Sequence, residues 1–183
     1  MLELSGIPPN HFGRYYTTIE VDGEDFRVRT ITYGDGKDFS LKSDRKPTLL
    51  LVHGYLMAGV CYFKMLRRLA VHYRIVIVDF GSFGLSDRRQ ECPVLKEDSE
   101  TCEKWIIDWW KKLINELDLP RKFYIAGHSI GGYQAALVGS VMPERIEALF
   151  MISPANMEAY NPSTYNPYAD PDVLDTLEIV SKK

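Results

Sequence analysis

Apolar and polar residues alternate along residues 15–21 (YYTTIEV) and 25–33 (DFRVRTITY), and both runs are rich in β-branched and aromatic side chains. Asp22-Gly23-Glu24 separates them, so the pattern predicts a β-hairpin. Residues 48–52 (TLLLV), 74–79 (RIVIVD), 122–126 (KFYIA) and 146–152 (IEALFMI) are instead short apolar runs, the last partly alternating. Such runs suit strands buried on both faces of a mostly parallel sheet. Helical spacing fills the gaps. Residues 60–72 set Cys61, Met65, Leu66 and Leu69 on one side. Residues 99–117 set Cys102, Trp105, Ile106, Trp109, Leu113 and Leu117 at helical spacing, behind Ser99 as N-cap. A third helix is expected over 130–141, stopped by Met142-Pro143. A hairpin followed by βαβαβαβ predicts an α/β fold with right-handed crossovers.

After Ser153 the texture changes. Residues 154–172 carry four of the ten prolines together with Asn156, Asn161 and Asn166, and a short helical pattern follows at 172–180. The expected division is a core over 1–153 and the start of a cap, or a linker, over 154–183. All three tryptophans fall in the 99–117 helix, where their spacing reads as core packing rather than a lipid-binding stripe.

Composition narrows the class. With 183 residues, 45% hydrophobic and 26% charged, the chain suits one globular domain. A net charge of −3 gives no reason to expect nucleic acid, which needs a clustered positive surface. Cys61, Cys92 and Cys102 form no CxxC pair, consistent with reduced thiols inside the cell. There is no apolar run near the roughly 18 residues of a membrane span, and no basic, apolar start typical of a secretory signal. The expected location is intracellular, in the cytoplasm or an organelle such as the mitochondrion, with peripheral membrane contact compatible with the sequence.

Three motifs carry chemistry. Gly127-His128-Ser129-Ile130-Gly131-Gly132 follows the strand KFYIA and opens the helix YQAALVGSV. A serine on such a strand-to-helix turn is held at strained, positive φ, and its neighbours two before and two after must be small. Gly127 and Gly131 meet that demand, Gly132 lets the helix approach the sheet, and the helix start aims unpaired N–H groups at the reacting centre. Ser129 is therefore the expected nucleophile. His53-Gly54-Tyr55-Leu56 follows the strand TLLLV. An acyl-transfer site needs two backbone donors for its oxyanion. Ile130 N–H is expected to supply one and Tyr55 N–H the other, with Leu56 as second choice. His53 is expected to shape the loop rather than act as base. In the third motif, Asp79-Phe80-Gly81-Ser82-Phe83-Gly84-Leu85-Ser86-Asp87-Arg88, Asp79 is expected to position a glycine-freed bend. No Walker A, GxGxxG or kinase signature accompanies it, and neither metal nor cofactor is expected.

HGY, DFGSFGLSDR, GHSIGGYQAA and MPERIEALFMISPA together resemble the α/β-hydrolase superfamily. With EKWIIDWWKKLINELDLPRKFYIAGHSIGG, residues 15–158 are similar to its branch of lipase-coactivator, N-acyl-phospholipid lipase and cardiolipin deacylase proteins. The resemblance implies an eight-stranded sheet, a cap between its sixth and seventh strands, and fatty-acyl esters or amides as substrates. Leu56 stands where those relatives often have glycine.

In this fold the triad runs Ser, then Asp or Glu, then His. His11, His53, His72 and His128 all precede Ser129, and no histidine follows it. Asp170, Asp172, Asp175 and Glu178 are carboxylates in the wrong segment for the acid. The expected function is hydrolysis of lipid or other carboxylic esters through an acyl-Ser129 intermediate, with the base outside these residues. The alternatives are a catalytically silent subunit of a larger assembly, or an acyltransferase using the same serine. Residues 146–152 would form an apolar sheet edge, expected to be covered by a further part of a longer chain or by a separate polypeptide.

Overall fold

The computed structural model describes residues 5–8, 11–33, 46–88, 99–117 and 119–155. Two long strands, β1 (Phe12–Val21) and β2 (Glu24–Tyr33), form the expected hairpin. Asp22 and Gly23 between them have φ of 54° and 79°, the two positive values that a type I′ turn requires. Then come β3 (Thr48–Val52), a short 3-10 turn (Gly59–Tyr62), α1 (Phe63–His72) and β4 (Arg74–Val78). The long helix α2 (Ser99–Glu116), β5 (Phe123–His128), α3 (Ile130–Val141), a second 3-10 turn (Pro143–Arg145) and β6 (Ile146–Ile152) follow. Ser99, the expected cap, is the first described residue of α2. Its helical pattern is reinforced on the outside by Glu100–Lys104 and Asp108–Lys112 pairs one turn apart.

The six strands lie in the order β1-β2-β4-β3-β5-β6. The hairpin joins antiparallel through β2 and β4, and the β4, β3, β5 and β6 pairings are parallel. Alternate residues of the central strands build two cores. Leu50, Val52, Val76, Val78 and Ile125 face α2 and α3. Leu49, Leu51, Ile75, Ile77 and Ala126 face α1 and its buried Leu66 and Ala70. Burial on both sides is why these strands read as continuous apolar runs.

The structure alters two details. The helix expected over 60–72 begins at Phe63, because residues 59–62 form the tighter 3-10 turn, and Met65 faces solvent while Tyr62 and Leu66 enter the core. The buried stripe of α2 is wider than expected: Trp110 and Ile114 are as enclosed as Trp109 and Leu113. Strand β6 forms the sheet edge expected of residues 146–152, so its apolar run is not buried on both faces and Phe150, Met151 and Ile152 are exposed. Trp109 and Trp110 stack edge to face against each other at 5.0 Å, and Trp110 Nε1–H donates to buried Gln134 at 3.1 Å, so α2 and α3 are locked as core rather than lipid-facing helices. Residues 156–183, which include most of the expected cap and Asp170, Asp172, Asp175 and Glu178, lie outside the described residues, as does Cys92.

Candidate active site

Strand β5 runs straight into the turn that carries Ser129. Its backbone has φ 55° and ψ −123°, the first central position of a type II′ turn and ordinarily a glycine conformation. Backbone bonds pin it there. Ser129 N–H donates to the Ile152 carbonyl at 3.0 Å, and the Ser129 carbonyl accepts from Gly132, Tyr133 and Ala155 N–H groups. Half-buried Ser129 makes no side-chain hydrogen bond among the described residues.

The glycines around the turn are required by close backbone approach. A Cβ on Gly127 would lie 2.0 Å from the Gly131 carbonyl oxygen, and one on Gly131 would lie 2.4 Å from that of His53. A Cβ on Gly132 would sit 3.0 Å from the Gly127 carbonyl oxygen and from Pro154. The same contacts show that the start of α3 abuts the loop after β3. On the other side of that seam, a Cβ on Gly54 would lie 3.0 Å from His128 Nδ1. Tyr55 N–H in this loop and Ile130 N–H at the first residue of α3 have no acceptor among the described residues.

Loop 53–59 is fixed from below. His53 is almost fully buried; its Nδ1 is 2.8 Å from the Gly54 carbonyl and its Nε2 accepts the Phe80 N–H at 2.9 Å. One neutral tautomer, with the proton on Nδ1, satisfies both contacts. Burial pushes the His53 pKa below its ordinary value, outweighing the opposing pull of the Gly54 carbonyl and the Asp79 charge. Both ring nitrogens are thereby committed to backbone. Buried Asp79 accepts N–H groups from Gly59 at 2.7 Å and Leu85 at 2.9 Å, clamping the loops after β3 and β4 together. A Cβ on Gly84 would overlap that carboxylate at 2.2 Å.

Sequence reasoning missed Tyr62 and Phe83. The buried Tyr62 hydroxyl donates to the Val52 carbonyl at 2.7 Å, tying the turn before α1 to the end of β3 that carries the His53 loop. Burial raises its pKa, and the nearby Cys61 adds to the effect. Phe83 packs edge-on against Tyr55 at 5.6 Å and His53 at 6.0 Å. A single tyrosine or phenylalanine in a loop carries no spacing signal, so neither role was visible in the sequence. Cys61 is no competing nucleophile: burial, aided by the Asp79 charge, pushes its thiol up to about 11.

Of the remaining histidines, His11 precedes β1, His72 ends α1 and His128 ends β5; none bonds Ser129. Tyr133 and Glu103 share a hydrogen bond between α3 and α2, and burial, followed by that bond, raises the tyrosine pKa. Among the described residues no group of three or more His, Cys, Asp or Glu is placed to hold a metal. No helix among them is long and apolar enough to cross a membrane.

The family model for the alpha/beta hydrolase fold matches residues 47–180. The chain belongs to the α/β-hydrolase family. Relatives of this α/β hydrolase include a probable 1-acylglycerol-3-phosphate O-acyltransferase of Oryza sativa subsp. japonica, 31% identical over 72% of this chain and 29% of its own length. A pimeloyl-[acyl-carrier protein] methyl ester esterase of Aeromonas salmonicida is 31% identical over 58% of this chain and 37% of its own length. The abhydrolase domain-containing protein abhd-5.2 of Caenorhabditis elegans is 26% identical over 79% of this chain and 31% of its own length. The acyltransferase and abhd-5.2 relatives agree with the branch that the sequence resembles. The chain spans about a third of the length of these curated relatives. Among solved structures, naproxen esterase from Bacillus subtilis superposes with a TM-score of 0.64 at 20% identity, over 84% of this chain and 47% of the esterase. That likeness is one of fold.

Proposed function

We propose that this α/β hydrolase carries the nucleophile and oxyanion donors of a serine-dependent enzyme acting on lipid or other carboxylic esters. The observation that carries the reading is the backbone of Ser129: φ 55° and ψ −123°, enclosed by Gly127 and Gly131 and held by four backbone hydrogen bonds. A strained turn of this kind presents a side chain away from the sheet at the positive end of a helix. In the proposed reaction Ser129 Oγ bonds to the acyl carbon and the carbonyl oxygen becomes the oxyanion. Ile130 and Tyr55 N–H groups stabilise that charge. The carbon–oxygen bond to the leaving alcohol then breaks, and the alcohol departs with the serine proton. Water releases the acid from the acyl-serine and completes hydrolysis; a second alcohol would complete acyl transfer instead. Esterase- and acyltransferase-named relatives support both outcomes on one scaffold.

The proton must travel through a base. His53 has both nitrogens bonded to backbone, and no other described histidine bonds Ser129. We assign the base to a further part of a longer chain or to a second polypeptide, which would also cover the apolar edge of β6. A second reading is a silent fold with a structural role, since none of the described histidines bonds Ser129. A fluorophosphonate probe applied to the native protein in its own cell extract distinguishes the two. Covalent labelling that disappears in Ser129→Ala is expected; an unlabelled native protein would establish the silent fold. Supplying a lysophospholipid alongside an acyl donor then separates transfer, which yields diacyl product, from hydrolysis, which yields free acid.

A further inference from the structure

Charge is distributed unevenly in this chain of net charge −3: residues 45–78 contain no aspartate or glutamate, while Lys64, Arg67 and Arg68 project from α1 into solvent. None of these three cations has a carboxylate partner among the described residues. The 3-10 turn Gly59–Tyr62 joins this helix directly to the loop whose tip, Tyr55, Leu56 and Met57, is also exposed. Leu56 is 78% exposed and at φ 55°, so a large apolar side chain is held in water on a left-handed backbone. Leu85, 64% exposed, stands on the neighbouring loop clamped to the first through Asp79. An exposed apolar loop tip leading through one short turn into a helix with three unpaired cations offers the two chemistries of an anionic lipid surface, acyl chains beneath negative headgroups.

We propose that the Tyr55–Met57 tip and the Lys64, Arg67 and Arg68 face of α1 form a docking surface for anionic phospholipid membranes. Leu56 inserts at the headgroup boundary while the three cations meet the phosphates. This deepens the acyl-ester reading, because it delivers lipid beside the Ser129 turn. Its test is binding alone, so an unlabelled Ser129 leaves the surface standing, and a failure to bind leaves Ser129 standing.

The 183-residue chain is sedimented with vesicles of phosphatidylcholine alone and of phosphatidylcholine mixed with phosphatidylserine. Binding to the mixed vesicles is expected to exceed binding to the neutral ones and to fall as salt is raised. The triple variant Lys64→Gln, Arg67→Gln, Arg68→Gln is expected to lose affinity on the order of 100-fold, roughly fivefold for each cation. Leu56→Asn, which suits the left-handed backbone and so leaves the fold intact, is expected to weaken binding at every salt concentration. Equal binding to both vesicle types, unchanged affinity in the triple variant, or no binding to mixed vesicles at low salt would overturn the proposal. The last result would leave α1 facing an acidic protein instead.

Discussion

The strain at position 129 is measurable by comparing Ser129→Gly with Ser129→Ala. Both substitutions remove a hydroxyl that makes no hydrogen bond among the described residues, and both leave the backbone bonds to Ile152, Gly132, Tyr133 and Ala155 available. They differ in the Cβ. A non-glycine residue at φ 55° and ψ −123° costs about 1–3 kcal/mol. Glycine relieves that cost but brings about 0.5–1 kcal/mol of extra unfolded-chain entropy. The glycine variant should therefore exceed the alanine variant by about 0.5–2 kcal/mol. For a domain of this size that is a rise of about 1–8 °C in midpoint temperature. Urea titration followed by circular dichroism checks it, with m unchanged between the variants so that the difference is one of stability. A glycine variant no more stable than the alanine variant would refute the claim that the fold holds this residue under strain.

Three further outcomes follow from the neighbouring loops. Gly131→Ala should destabilise by about 3 kcal/mol, at the upper end for overpacking, because the new Cβ meets backbone of Val52 and His53 rather than a movable side chain; an equilibrium urea midpoint unchanged from wild type would contradict it. Leu56→Gly should stabilise the chain in the absence of lipid by about 0.5–1 kcal/mol, the left-handed cost of leucine less the entropy of glycine, and a thermal melt reads it. His53 is held neutral, with its pKa below the usual value. The unfolded chain therefore binds more protons between that lowered value and about 6.5, so this contribution to stability is full above about pH 6.5 and declines as pH falls below it. His53→Gln should flatten that part of the pH–stability profile, measured by urea titration across it.

Much of the sheet could be read from residue types because burial on both faces leaves a run such as TLLLV without polar positions. The hairpin was legible from alternation and from the Asp22-Gly23 pair. Strand β6 shows the limit of that reading. Its run is as apolar as the others, and only the family resemblance, not the run itself, marks it as the edge strand on which Phe150 and Met151 are exposed. The stripe of α2 was underestimated for a related reason. Trp110 and Ile114 are buried by α3 as well as by the sheet, and a second neighbour widens the stripe beyond a single helical face. At the candidate site the glycines were legible, since Gly127 and Gly131 follow from the sterics of the turn. Leu56 was marked by a departure from glycine, and its positive φ supplies the physical meaning of that departure. Tyr62 and the committed tautomer of His53 were not legible, because each depends on which carbonyl or N–H lies across a seam between distant parts of the chain.

The proposal of a serine enzyme rests on Ser129 Oγ and two N–H groups meeting at one acyl carbon. A crystal structure of the native protein after phosphonylation tests that meeting directly. Phosphorus is expected on Ser129 Oγ, with its oxygen about 3 Å from the backbone nitrogens of both Tyr55 and Ile130. Phosphorus on another residue, or an oxygen turned to solvent away from both nitrogens, would contradict it.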